Sequence, residues 1–235
     1  PLKIRAGVTS QATKTVTKAN RKDYFMKYIL LLTALLSTGV FASEFDETME
    51  KAEQGSAVSQ YIIATQYQHG FGEVEEDDVE AVKWMRKAAL QGEAIAEYSL
   101  GLMLANGEGV PKNYLKAMEW LNKAARQGYV KGQFTLGKIY AEGEITPIDY
   151  KQAIYWLSKV AKQGDTYAMS ELAWSFKFVG NRVKAYSWWS IAVAEGDTNF
   201  TKWLDEMESI MTLEQIAQAQ ELAAKCFESG YKDCD

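Results

Sequence analysis

WLNKAARQG, Trp120 to Gly128, decides the fold. Thirty-six residues earlier the chain reads WMRKAALQG, and thirty-six residues later WLSKVAKQG. The tryptophans recur at Trp84, Trp120, Trp156 and Trp188, and the closing glycines at Gly55, Gly92, Gly128, Gly164 and Gly196. A fixed period of this length is the mark of a solenoid, in which one contact is reused by every unit.

The second unit, Glu93 to Gly128, carries two helical patterns. Ala96, Leu100, Met103 and Leu104 recur at spacings of three and four, the period of one helix face. The run stops at Asn106-Gly107, and Pro111 forbids helix through the loop that follows. Asn113 offers an oxygen to cap a second helix, whose apolar stripe is read as Leu115, Met118, Leu121 and Ala125, with Trp120 alongside. Gly128 closes it in the left-handed conformation. The other units repeat the punctuation, with caps at Asp77, Asn113, Asp149 and Asn181 and small residues at Ala81, Ala117, Ala153 and Ala185. The tryptophans read as packing wedges between units. A lone helix pair leaves apolar faces uncovered, and stacking identical pairs covers them.

The expected fold class is therefore all-α: an αα-hairpin repeat solenoid of about four repeats plus capping helices. The ends are atypical, as the ends of a stack must be. The fourth unit, Asp165 to Gly196, is four residues short, and FDETMEKAEQG before the first unit reads as a half unit. After Gly196 come a helix with Phe200, Trp203, Leu204 and Met207 on one side, and a last helix from about Leu213 to Phe227. Thr212 and Gln215 spell a capping box at its start.

From Met26 the chain reads MKYILLLTALLSTGVFAS: one lysine, an apolar run, then small residues. That is the plan of a secretory signal peptide cleaved between Ala42 and Ser43, too short to serve as a stable membrane anchor. Residues 1–25 are expected to be a non-native or over-extended tail, 26–42 the signal peptide, 43–196 the repeat array, and 197–235 the capping helices with a clipped tail. The location implied is periplasmic or secreted. Residues 43–235 hold 19 basic and 30 acidic residues, a net charge of −11. Such a surface repels phosphate backbones and argues against nucleic acid as a partner. Cys226 and Cys234 are the whole cysteine complement, and in an oxidising compartment the pair is expected to close as a structural clip.

The residues offer little chemistry. His69 is the sole histidine, so neither a triad nor a zinc-bound water can be assembled in the usual way. The acidic run Glu73, Glu75, Glu76, Asp77, Asp78 lacks an EF-hand spelling and reads as a solvated loop favouring the next helix N-terminus. Gly107-Glu108-Gly109 lacks the strand and the Lys-Ser/Thr of a phosphate loop. No catalytic residue, metal site or cofactor is expected.

The consensus carried by Ala96, Leu100-Gly101, Gly107-Glu108-Gly109-Val110, Asn113, Lys116-Ala117, Trp120 and Lys123 to Gly128 resembles Sel-1-like repeats (SLR), cousins of the tetratricopeptide repeat. The tail CFESGYKDC is similar to the ending of exported bacterial members. The resemblance spans about Gly55 to Gly196. It implies a right-handed superhelix whose concave side holds a protein or peptide partner, in envelope assembly, host interaction or toxin immunity. The implied groove positions flank the Leu-Gly pair: Tyr61, Thr65, Gln68, Tyr98, Leu102, Phe134, Lys138, Trp174 and Lys177. These vary between units while the packing residues repeat. The expected protein is a monomeric, non-catalytic binding module. The alternative is a β-lactam-binding protein or weak hydrolase, but the relatives linked to that activity carry a cysteine pair in each repeat, and this chain has none there.

Overall fold

The computed structural model describes residues 44–71 and 74–234. The signal-peptide reading of 26–42, the tail reading of 1–25 and the cut at Ala42 and Ser43 lie outside them, as does Glu73. Among the described residues eleven α-helices follow one another and there is no strand. They are α1 (Glu44–Glu53), α2 (Ala57–His69), α3 (Asp78–Leu90), α4 (Ala94–Asn106), α5 (Tyr114–Arg126) and α6 (Val130–Glu142). Then come α7 (Tyr150–Ala161), α8 (Thr166–Phe178), α9 (Arg182–Ala194), α10 (Thr201–Ile210) and α11 (Leu213–Glu228), with a short 3-10 turn at Thr198–Phe200. The repeats lie wholly within the compact unit that begins at Lys51.

Within that unit α2 packs on α3, α4 on α5, α6 on α7 and α8 on α9, and each pair packs on the next. The chain is thus an αα-hairpin solenoid of four repeats, closed at its C-terminal end by α10 and α11 against α9. The repeated letters are the contacts. Ile63-Ala64, Leu100-Gly101, Leu136-Gly137 and Leu172-Ala173 are buried in the first helices. Opposite them stand Met85, Leu121, Leu157 and Trp189, each fully buried. A Cβ on Gly101 would stand 2.8 Å from Leu121 Cγ and 3.2 Å from the Ala117 carbonyl oxygen. The small residue is therefore what lets the two helices close. Ala81, Ala117, Ala153 and Ala185 are likewise fully buried, and the four repeat tryptophans are at most 9% exposed.

The cap positions hold as spelled: Asp77, Asn113, Asp149 and Asn181 each accept a hydrogen bond from a backbone N–H of the following turn. The residue Asp77, read from the acidic run as favouring a helix start, is the N-cap of α3. Each unit also closes its loop in the same way. The backbone N–H of Asp77, Asn113 and Asp149 donates to the carbonyl of Tyr67, Leu104 and Tyr140, all at 2.8 Å. At the far end of α5, Gly128 has φ 88°, and the N–H groups of Gly128 and Tyr129 donate to the carbonyls of Ala125 and Ala124. That is a Schellman closure, and it explains the recurrent Gln-Gly.

One helix stripe is corrected. Leu115 does not face the core of α5; it is 81% exposed, and the buried residues of that helix are Ala117, Trp120, Leu121, Ala124 and Ala125. Leu115 lies in the first turn two residues before Ala117, which turns it to the other side of the helix.

The Gly-Glu-Gly loop has a packing role that its spelling did not reveal. Gly109 sits at φ 60°, and a Cβ there would lie 2.0 Å from the carbonyl oxygen of Asp78, at the start of the preceding unit's second helix. Only glycine fits. Between the two glycines, Glu108 accepts from the side-chain amides of Gln68 (3.3 Å) and Asn106 (2.8 Å).

Candidate functional site

The nine predicted groove residues lie on the first helices of the four hairpins, α2, α4, α6 and α8, and every one is half-buried. The structure gathers six of them into three aromatic clusters spread along this face.

The first cluster is built on Tyr98 of α4. Its ring centroid lies 5.2 Å from that of Tyr129, and its hydroxyl accepts from Thr135 Oγ1 at 3.4 Å. Tyr61 holds the position equivalent to Tyr98 on α2, and burial, then Tyr61 and Tyr98, raise the Tyr129 phenol above its ordinary value. Burial, and after it the Glu93 carboxylate, do the same to Tyr61.

In the second cluster Phe134 of α6 meets Tyr167 at 5.4 Å between centroids. Lys138 Nζ stands 5.9 Å from the Tyr167 centroid and 2.9 Å from Glu142. Beside them, burial raises the half-buried Glu171 carboxyl above the usual range, and the Lys138 ammonium opposes the rise.

The third cluster stands where the fourth repeat meets the first C-terminal capping helix. Trp174 makes edge contacts with Trp203 at 4.7 Å and with Trp189 at 5.0 Å. Lys177 Nζ lies 4.8 Å from the Trp174 centroid and 4.9 Å from that of Trp203, and pairs with Glu206 at 3.3 Å. Held by rings and a carboxylate together, this ammonium is better fixed than an ordinary surface pair.

Three predicted residues do not join a cluster. Thr65 donates its hydroxyl to Ile62 O within α2 at 2.7 Å. Gln68 is occupied by Glu108, as described above. Leu102 packs, with Tyr98, on the core formed by Leu121, Leu136 and Trp156. Sequence reasoning in turn missed Glu93, Tyr129, Tyr167, Glu171, Trp203 and Glu206. For two of these a signal was legible. The residue after each closing glycine should cap the next first helix, as Ser56 and Asp165 do with their side chains. Glu93 and Tyr129 hold that position and make no side-chain cap bond. Two caps are thus given over to the face that carries Tyr61 and Tyr98.

His69 ends α2 exposed, its ring 5.4 Å from Phe71. Among the described residues no three His, Cys, Asp or Glu side chains converge as a metal site, and no helix is long and apolar enough to cross a membrane. Cys226 and Cys234 are joined as a disulfide, both buried, in the tail outside the repeats.

Stacked helical hairpins, one face packing and the other varied and aromatic, define the class of α-solenoid repeat proteins. The chain belongs to the Sel1 repeat family, whose model matches residues 57–93, 94–129, 130–165 and 167–197. Sel1 repeats are protein–protein interaction modules, and the family is in general a non-catalytic scaffold. Among solved structures it is similar to a Sel1 repeat protein from Oxalobacter formigenes, at 33% identity and a TM-score of 0.58, over 68% of this chain and 47% of that one. It also matches a protective antigen present in uropathogenic Escherichia coli strains and displaying an SLR fold, at 26% identity and a TM-score of 0.43, over 78% of this chain and 49% of that one. The chain therefore spans about half the length of each. A search of curated proteins returned no significant match.

Proposed function

We propose that this chain is an exported, non-catalytic binding module of a bacterial envelope or its surroundings, which docks a protein or peptide along the first-helix face. The observation that carries the reading is the three aromatic clusters on that one face, built from positions that vary between otherwise repeating units. Half-buried Tyr and Trp give large contact area at small entropic cost, the composition of interface hot spots. The groove is Tyr61, Thr65, Gln68, Tyr98, Leu102, Phe134, Lys138, Trp174 and Lys177, on the side taken to be concave, and the protein acts as a monomer. Its setting is envelope assembly, host interaction or toxin immunity.

Export is supported by the signal-peptide spelling of residues 26–42 and by a buried disulfide, a bond that persists in oxidising compartments. Two experiments test the reading. Fractionation with N-terminal sequencing should find the protein in the periplasm or medium, beginning at Ser43; a cytoplasmic chain retaining residues 26–42 overturns export. Capture from periplasmic extract should be lost in the Tyr61→Ala/Trp174→Ala double variant. Recovery of the same partners by that variant overturns the docking face.

A further inference from the structure

The repeat supplies its own comparison for what the docking face binds. Tyr98 and Phe134 occupy equivalent positions thirty-six residues apart, and each meets an aromatic ring of the following unit, Tyr129 and Tyr167 respectively. One helical turn beyond Phe134 stands Lys138, whose ammonium reaches the Tyr167 ring. The equivalent residue one turn beyond Tyr98 is Leu102. In the fourth unit the position of Lys138 is held by Trp174, and Lys177, one turn further on, brings its ammonium to that ring and to Trp203. Each filled cluster also holds a carboxylate on its lysine, Glu142 at 2.9 Å and Glu206 at 3.3 Å.

The Tyr98–Tyr129 pair has the rings and no cation of its own. Among the described residues the lysine-to-ring contacts all fall on other rings. Tyr61 holds the position equivalent to Tyr98 in the preceding unit, and Glu93, at the start of α4, forgoes its capping bond and, after burial, raises the Tyr61 phenol. The surrounding chain, residues 43–235, is acidic by a net charge of −11. One filled copy and one unfilled copy of the same arrangement identify what the unfilled copy lacks.

We propose that the Tyr98–Tyr129 pair receives a lysine or arginine side chain from a basic segment of the protein partner, with Glu93 as its counter-charge. This rests on reading the first-helix face as the docking surface. The ring faces attract the cation, Glu93 supplies the counter-charge, and the acidic body of the chain steers a basic segment to it.

The test is fluorescence anisotropy of the full chain with labelled octalysine at near-physiological salt, with ε-acetylated octalysine as the uncharged control. Octalysine should bind and the acetylated peptide should not. Tyr98→Leu and Tyr129→Leu should each weaken binding about fivefold, the loss expected for one cation–ring contact. Leu102→Lys should do at least as much, because it installs the internal cation of the next unit, where the same fold already tolerates a lysine. Gln218→Lys adds the same charge at an exposed position of the C-terminal helix α11, outside the docking face, and should change affinity by less than about twofold. Circular dichroism of each variant separates lost binding from lost fold. No binding by the unmodified chain, or unchanged binding by Tyr98→Leu and Leu102→Lys, overturns the inference. If octalysine fails while Tyr61→Ala/Trp174→Ala still abolishes partner capture, the cation site falls and the docking face stands. If that double variant captures the same partners, the docking face itself falls.

Discussion

At the residue scale the repeats reveal where one unit departs from its siblings. Gln60 and Gln133 donate their side-chain amides to the carbonyls of Ala52 and Ala125, at 3.0 and 3.1 Å, tying each first helix to the end of the helix before it. The equivalent residue in the second unit is Glu97, only 4% exposed, which accepts from Gln127 at 2.7 Å and as a carboxylate has no proton to donate. Burial raises its pKa, with Gln127 opposing. The raised folded value means that the protonated form favours the fold. Its contribution is complete below the unfolded value of about 4.3 and is lost as pH rises through the folded value. Glu97→Gln should therefore stabilise the protein by about 1 kcal/mol at neutral pH, and the gain should shrink as the pH falls through the folded value toward about 4.3. Urea melts of the two proteins across that range check both the sign and the trend. At Gly101 the effect runs the other way. Alanine is the better helix former, but its Cβ collides with buried Leu121 and a backbone carbonyl. Gly101→Ala is expected to lower stability by about 1 kcal/mol or more, measured by the same melts.

At the scale of the element, each helix is bounded by a chemical stop and start, and the exceptions carry the information. Removing a working cap, as in Asn113→Ala, should cost about 1 kcal/mol. Glu93 marks a cap position with no capping bond. Glu93→Asp keeps the charge and shortens the side chain to one that caps well, so it should raise the melting midpoint by the equivalent of about 1 kcal/mol. The two substitutions have opposite expected signs, so thermal melts of both decide whether Glu93 has been withheld from capping. How much of an element was legible depended on the range of its causes. Helix ends come from residues within one turn of each other, so Asp77, Asn113, Asp149 and Asn181 were readable as caps. Leu115 was misread because periodicity alone does not say which side of a first turn the neighbouring hairpin covers.

Across the whole molecule the repeats need a terminus that does not repeat. The last helix is held on α9 by Ser187, whose hydroxyl donates to the carbonyls of Val183 and Ala219, and α10 by the Tyr186 hydroxyl on Glu208 at 2.6 Å. The tail is then drawn back by the Cys226–Cys234 bond, so that the Tyr231 ring lies against Gly164 and its hydroxyl donates to Glu195. Closing so small a loop is worth about 2.5 kcal/mol in chain entropy. Cys226→Ser/Cys234→Ser should lose about that much, and adding a thiol reductant to the unmodified protein should bring its denaturation midpoint to the same place. Burial, then Glu195, pushes the Tyr231 phenol up to about 12. A phenol raised on folding stabilises the fold while it keeps its proton, below about pH 10, and that contribution is lost as pH climbs toward the folded value. Tyr231→Phe should therefore remove part of the alkaline loss of stability, read from melts between about pH 9 and pH 12.

The sequence by itself determined the period, the helices, their caps and the stacking, because each is written within one unit and then repeated: a contact that recurs must be spelled again. It also placed the variable positions of the first-helix face, through the likeness to a repeat family. Tertiary structure alone decided which residues those positions meet. Tyr129, Tyr167 and Trp203 come from neighbouring units and from the capping helix, and they meet Tyr98, Phe134 and Trp174 only once the hairpins are stacked. The same holds for Gly109, whose need for a bare backbone comes from Asp78 in the unit before it. Local spelling fixes helices because their hydrogen bonds span four residues; a surface shared between units depends on distances that no single unit contains.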